Sequence, residues 1–347
     1  MAIIGATALT YADWARRVED DYHIAAIIEL LSQTNEILED MFVLEGNLPT
    51  GHKTTVRTGL PQATWRLLNQ GVPNAKSTTA QLTDTCGNLE TYAVIDKDIA
   101  DLNGNTPEFR LSEVKAFLEG MSQQVAATLI YGNQQVNPER FSGFAPRYAT
   151  VNTATSQTAF NVLDAGGLAA VNTSIWIATW GADTGHAIFP KGKITGLQHR
   201  DMGEWPVADA NGNTYQAYRD HFKWEIGFCL RDWRYFGRIC NIDTSLLTGV
   251  SAANLINLLV RALYRLPTAP SGATAIQTSD TPEIKANMGQ VVIYCNRVIR
   301  TYLDLQAMNK ANVLLRLEEF NGKVITTFRG IPVRTCDAIL NNEARIT

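Results

Sequence analysis

Apolar positions in this chain first recur at helical spacing. From Asp13 to Met41, Ile24, Ile27, Ile28, Leu31, Leu38 and Phe42 share one face with the period of a helix, which Glu45-Gly46-Asn47-Leu48-Pro49 ends. A second helix is predicted from Thr106 to about residue 132. Thr106-Pro107 offers a cap followed by proline at the first helical position, where a missing N–H costs nothing. Val114, Phe117, Leu118, Met121, Val125 and Leu129 form one apolar stripe along it, and Gly132-Asn133 predicts a left-handed stop. Gly120 inside this helix costs about 1 kcal/mol relative to alanine, which leads us to expect a close packing partner there.

Beyond residue 150 the period changes to two. Ser174–Trp180 reads as a strand, and Ala210-Asn211-Gly212-Asn213 signals a hairpin. Phe222, Trp224, Ile226, Phe228 and Leu230 alternate with Lys223, Glu225, Gly227, Cys229 and Arg231, the pattern of a long strand with one buried face. A short helix is expected from near Ser251 to Pro267, a strand over Val291–Cys295 and a helix over 297–309. The end reads as Val313–Leu317, a turn at Asn321-Gly322, Lys323–Phe328 and Gly330–Cys336. No internal repeat, linker or low-complexity tract interrupts this, and the class is α+β.

Between the two long helices lies a polar, Thr-rich stretch. Lys53–Leu60 and Lys76–Thr83 are extended in character and flank the turn-prone Asn69–Asn74. The reading is a hairpin-like loop from about 49 to 95, too polar to be core, and loops this long in ordered chains are usually functional. Its charge is sorted. Asp13, Glu19, Asp20, Asp21, Glu29, Glu36, Glu39, Asp40 and Glu45 precede it against only Arg16 and Arg17. No Asp or Glu then occurs from Asn47 to Thr83, where Lys53, Arg57, Arg66 and Lys76 stand. Two complementary surfaces meeting across copies of one chain explain this sorting. Surface ion pairs contribute only about 0–1 kcal/mol each, so their value lies in register and partner choice. The candidate contact residues are Lys53, Arg57, Trp65, Arg66 and Lys76 on the loop, and Glu36, Glu39 and Asp40 on the arm; the loop is expected to dock on the acidic arm or on the surface of the second long helix of an adjacent copy.

Composition narrows the classes. A chain of 347 residues with 45% hydrophobic and 18% charged content buries a substantial core. Its net charge of −4 argues against a general nucleic-acid binder but not against a protein that encloses nucleic acid. No apolar run approaches the roughly 18 residues of a membrane span. The start lacks the basic region of a signal peptide. Cys86, Cys229, Cys240, Cys295 and Cys336 are dispersed and odd in number, as expected of buried free thiols.

Reactive constellations are missing. Gly192-Lys193 lacks the upstream glycine and the following Ser or Thr of a phosphate loop. His186, His199, Asp201 and His221 show no helical His-x-x-x-His spacing, and Cys229 and Cys240 make no C-x-x-C, so linear spacing points to no metal site. There is no Gly-x-Ser-x-Gly elbow and no dinucleotide fingerprint. No catalytic residue, cofactor or metal is expected.

The order of these segments, ending in Phe328-Arg-Gly-Ile-Pro-Val333, resembles the major capsid proteins of tailed bacteriophages with the Hong Kong-97 type fold, most nearly the epsilon-15-like podovirus branch. Leu44–Pro61, Ala127–Asn133 and Pro138–Tyr148 carry the likeness. The resemblance implies an N-terminal arm (1–48), an extended loop (49–95) and a peripheral domain with a spine helix (96–150). It further implies an axial domain interleaved with peripheral strands (151–290) and a terminal strand–helix–strand module (291–347). Some members of that branch thread the fold with altered connectivity. The implied function is self-assembly into the hexamers and pentamers of an icosahedral shell around double-stranded DNA, which is bound without sequence specificity. Scaffold, portal and cement or decoration proteins are the implied partners, and no membrane is. Some capsids of this fold form a Lys–Asn cross-link; Lys53 and Lys76 lie in the right loop, but no partner residue is identified and self-cross-linking is not expected. A β-rich phage tail or decoration protein, and a bacterial compartment shell of the encapsulin type, are the alternatives.

Overall fold

The computed structural model describes residues 32–102, 106–168, 171–209, 211–247, 249, 252–267, 289–308, 315–320 and 323–347. Thirteen strands among them belong to one hydrogen-bonded network, whose main path runs β11-β12-β13-β10-β5-β6-β8-β3-β2. The strands are β1 (Val43–Glu45), β2 (Gly51–Gly59), β3 (Thr78–Asp96), β4 (Val162–Asp164), β5 (Asn172–Trp180), β6 (Gly185–Phe189), β7 (Leu197–Ala208), β8 (Thr214–Leu230), β9 (Gly237–Asp243), β10 (Gln290–Cys295), β11 (Leu315–Phe320), β12 (Lys323–Phe328) and β13 (Ile331–Thr335). Helices α1 (Thr106–Tyr131), α2 (Leu255–Arg265) and α3 (Arg297–Met308) pack on the network.

β5 is the middle of the molecule, and all nine of its residues are buried. Its alternation divides two cores. Trp176, Ala178 and Trp180 face Phe144, Tyr148, Phe228 and Phe236 together with the last turns of α1. Ile175 and Ile177 face Ile239, Leu255, Leu259, Ile293, Ile299 and Leu303. The first core is largely aromatic, with Phe144 edge-on to Phe228 at a centroid distance of 4.9 Å and to Phe236 at 5.4 Å. Such offset and T-shaped pairs add about 0.5–1.5 kcal/mol each beyond their buried area.

The spine helix α1 follows the sequence expectation closely, but it stops by another device. Neither Gly132 nor Asn133 has a positive φ. Instead the chain returns over the helix end: the Phe144 N–H donates to the Leu129 carbonyl at 2.9 Å, and the Gly143 N–H to Gly132 at 2.8 Å. A Cβ on Gly143 would lie 2.4 Å from the Leu129 carbonyl oxygen, and one on Gly132 2.4 Å from that of Phe141. These glycines are there for close backbone approach, which satisfies helix-end carbonyls without water. Gly120 differs from expectation: among the described residues, the helix's own backbone aside, nothing lies within 4 Å of where its Cβ would be.

Four further expectations are corrected. Residues 13–31 of the predicted arm helix lie outside the described residues. The rest is not continuous helix, because only Ile37–Asp40 makes a helical turn. Just before it Asn35 bridges Cys336 and the Glu36 N–H donates to Thr335 at 3.2 Å, so this backbone pairs with the end of β13. The stretch 49–95 is not a polar loop throughout: β2 and β3 occupy most of it, and Ala93 and Ile95 are core residues. β8 has one buried face only as far as Glu225; from Ile226 to Leu230 both faces are covered. The helix expected from Ser251 starts at Leu255, because the Asn254 side chain caps it by accepting from the Asn257 N–H at 3.2 Å. The predicted Asn321-Gly322 turn lies outside the described residues.

The C-terminal tail closes the structure on a buried ion pair. Arg238 on β9 donates to Glu343 at 2.8 Å, with side chains only 4% and 5% exposed. Ser174 and Tyr131 also donate to the Glu343 carboxylate. Arg238 in turn reaches the Tyr148 carbonyl at 3.1 Å and lies over the Trp176 ring at 4.6 Å. One carboxylate thus ties the tail to β5, β9 and the last residue of α1. With this many hydrogen bonds the pair can offset its desolvation.

Candidate assembly interface

β3 is a nineteen-residue strand with two partners in succession. From Thr78 to Thr85 it pairs with β2; from Cys86 to Asp96 it pairs with β8. The second half belongs to the main sheet and the first half projects from it as a two-stranded arm. Alternating Thr suits this role, because β-branched side chains favour extended backbone and the hydroxyls tolerate water on both faces.

The root of the arm is tied down. The Asn47 side chain accepts from the Lys53 N–H at 2.7 Å and donates to its carbonyl at 2.8 Å. Asp84, the first acid after the basic run, accepts from Arg147 at 2.6 Å, and both are largely buried. Arg147 also donates to the Phe228 carbonyl at 3.3 Å, which joins the arm to the aromatic core.

At the tip nothing comparable exists. Every residue from Leu60 to Thr79 is exposed. The turn within it is held by one backbone hydrogen bond, from the Gln70 N–H to Leu67 at 3.3 Å, with Asn69 in the left-handed region at φ 65°. Leu60, Trp65, Leu67, Leu68 and Val72 stand open to solvent, Trp65 completely. Isolated exposed apolar residues are ordinary, but five on one loop are a concentration of the kind found at interaction surfaces.

The predicted contact residues separate into two sets. Lys53, Arg57, Trp65, Arg66 and Lys76 are all exposed on the arm, and among the described residues their side chains make no ion pair. The acidic set is mostly used within the subunit. Glu36 lies 3.7 Å from Arg334 and accepts from the Thr335 N–H at 2.8 Å. Asp40 pairs with Arg334 at 3.3 Å and accepts from Tyr294 at 3.1 Å. Burial raises the Asp40 pKa, against the opposing pull of Arg334. Only Glu39 of the three is exposed.

The other expected receiver, the surface of the spine helix, has matching character. Between α1 and β3 runs an open groove of about 570 Å³ whose lining includes Glu90, Glu113, Phe117, Gly120, Met121 and Gln124. Phe117 and Met121 give it an apolar floor and the two glutamates an acidic rim. Asn88 and then Lys223 and His221 hydrogen-bond Glu90 and lower its pKa, so it stays ionised. The space above Gly120 opens into this groove. The sequence pointed to the spine-helix surface and to Gly120, a helix glycine with no capping role, but not to the part that β3 contributes.

Two of the histidines singled out in the sequence, His199 and His221, have local partners. His199 stacks on Phe222 at 4.7 Å and lies 2.9 Å from Asp220, while His221 stacks on Tyr92 at 4.5 Å. Asp201 accepts from Arg110 at 2.8 Å. No described helix is long and apolar enough to cross a membrane.

A spine helix on a broad sheet, with a projecting two-stranded arm, defines the Hong Kong-97-like capsid fold. A family model described as Major capsid protein GP7 matches residues 19–347, and the chain belongs to that family. It is similar over 100% of both chains to the structure of the bacteriophage Epsilon15 capsid protein, with 37% identity and a TM-score of 0.76. The bacteriophage JBD30 capsid is more distant, at 10% identity and TM-score 0.47 over 89% of this chain and 92% of that one. No curated protein matches. The chain is therefore the major capsid protein of a tailed phage, a non-enzymatic component of the virion that forms the icosahedral shell by association of its own copies. That membership decides against the tail-protein and compartment-shell alternatives.

Proposed function

We propose that the β2–β3 arm is the element by which one copy grips the next in the shell, with its apolar tip seated in the α1–β3 groove of a neighbour. The observation that carries this reading is the exposed Leu60, Trp65, Leu67, Leu68 and Val72 cluster on a tip with almost no contacts of its own.

Magnitudes decide which residues matter most. An aromatic side chain of Trp size buries about 150–250 Å² on docking, worth about 4–6 kcal/mol at about 25 cal/mol per Å² before ordering costs. An exposed ion pair supplies about 0–1 kcal/mol. Trp65 and its leucine neighbours anchor the contact. Arg57, Arg66, Lys53 and Lys76 set its register against Glu90, Glu113 and the exposed Glu39. The acid-free run keeps like charge away from that acidic rim.

In this reading the arm (1–48), extended loop (49–95), peripheral domain (96–150), interleaved axial region (151–290) and terminal module (291–347) are the working parts of one subunit. The subunits form pentamers and hexamers around double-stranded DNA, with scaffold, portal and cement proteins as further partners. A contact repeated around every symmetry axis gains in avidity, so modest pairwise affinity suffices. Trp65→Glu tests this. The expected result is a soluble, folded subunit that fails to form shells in electron micrographs; normal shells from that variant would overturn the reading.

A further inference from the structure

At the root of the arm the sheet closes on itself. β6, β8, β3 and β2 lie side by side, β1 pairs with β6 over Ala187 to Phe189, and Leu48 bridges Gly51. The registers align one transverse row of side chains. His52 stands opposite Asp84, and His186 opposite Cys229. The β3–β8 register, with Cys86 opposite Gly227, extends to bring Asp84 level with Cys229. Curling of the strands folds that row inward. The His52 and His186 rings meet edge-on at 5.6 Å, and one donor atom from each of His52, His186 and Cys229 lies within 4.8 Å of the other two.

Two of these groups lack partners. His186 is fully buried, yet neither ring nitrogen makes a hydrogen bond of ordinary geometry, and His52 Nδ1 is likewise buried and unpaired. The Gly181 carbonyl lies against the His186 ring only as a weak acceptor. The Cys229 thiol has Thr54 Oγ at 3.5 Å. Leaving a buried polar atom unsatisfied costs about 1–3 kcal/mol, so an interior holding three such nitrogens calls for an occupant.

We propose that His52, His186 and Cys229 bind one divalent transition-metal ion of the zinc type, which pins the root of the arm to the main sheet. Two imidazoles and a thiolate are the donor set such borderline ions prefer, with water in the fourth position. Tetrahedral donors at about 2.0–2.3 Å from the ion stand about 3.3–3.8 Å apart. The three donors must draw closer together on binding, and His52 is the part-exposed member of the set. Neighbouring cations are compensated: Arg147 pairs with Asp84 at 2.6 Å, and Arg231 with Asp183 at 3.1 Å. On binding, the metal–sulfur bond forms as the Cys229 S–H bond breaks, and its proton leaves to solvent.

The test is titration of the chelator-stripped full-length subunit with Co²⁺. A thiolate-to-cobalt charge-transfer band that saturates at one ion per chain and is erased by Zn²⁺ is expected. Cys229→Ser should lose that band, while Cys86→Ser, which changes the neighbouring half-buried thiol, should keep it. His52→Gln, at the rim and tolerant of substitution, should weaken Co²⁺ binding by about tenfold or more. Absence of the band in the unaltered protein, its persistence in Cys229→Ser, or unchanged affinity in His52→Gln would each overturn the proposal. Should Cys229→Ser not fold, the His52→Gln affinity decides alone.

Discussion

The two ends of the β2–β3 arm are made of the same strands and meet opposite fates. At the root, Asp84 is locked to Arg147, Asn47 clasps the Lys53 backbone, and His52 lies against His186. At the tip, Leu60 to Thr79 is exposed, and a fully open tryptophan rides on a turn with one hydrogen bond. A monomer gains nothing from holding an apolar loop in water on a rigid stem. The contrast teaches that the contacts holding the arm within its own subunit end at the root, and it is the reason for proposing that another copy completes the tip.

The comparison can be broken most severely on the folded side. Glu343→Ala leaves Arg238 buried and uncompensated and should destabilise the subunit by about 3–5 kcal/mol in denaturant unfolding. A loss under about 1 kcal/mol would show that the tail is not part of the cooperative core. Asp84→Asn at the root should cost about 1.5–3 kcal/mol, the range for a hydrogen bond to a charged group, and should raise amide exchange across β2 before that in β5.

Acid titration gives a smaller effect elsewhere on the sheet. Arg110 and then the Gly203 N–H bond Asp201 and hold its pKa below the ordinary carboxylate value. The stability this gives is fully present above the unfolded pKa, about 3.8, and is lost as pH falls through the lower folded one. Asp201→Asn should lower stability slightly near neutral pH, where that contribution is present, and leave it unchanged at the acid extreme, so that the acid limb flattens. At the tip, reversing Arg57 and Arg66 to Glu should alter subunit stability by no more than about 0.5 kcal/mol while impairing shell formation. A large fall in subunit melting temperature would place those side chains within the fold instead.

Much of the scaffold was legible in the sequence, and the reasons are local. The α1 stripe and its Thr106-Pro107 start, the Ser174–Trp180 run and the Lys323–Phe328 strand all advertise themselves by period. The charge-sorted segment also pointed to the arm, although alternating Thr disguised two strands as a loop. What could not be read depends on register. β3 changes partner at Cys86, so Ala93 and Ile95 enter the core while Leu82 does not. Glu36 and Asp40 look like a free acidic face until Arg334 arrives from the far end of the chain. His52, His186 and Cys229 share no linear spacing at all; only the closing of four strands brings them together.

The central claim is that the tip meets another copy, and a photo-activatable side chain at position 65 tests it most directly. In assembled shells, irradiation should join two chains and give a species of twice the subunit mass, with the joined peptide mapping to the α1–β3 groove around Phe117 and Met121. Adducts confined within one chain, or reaction with solvent alone, would contradict the account.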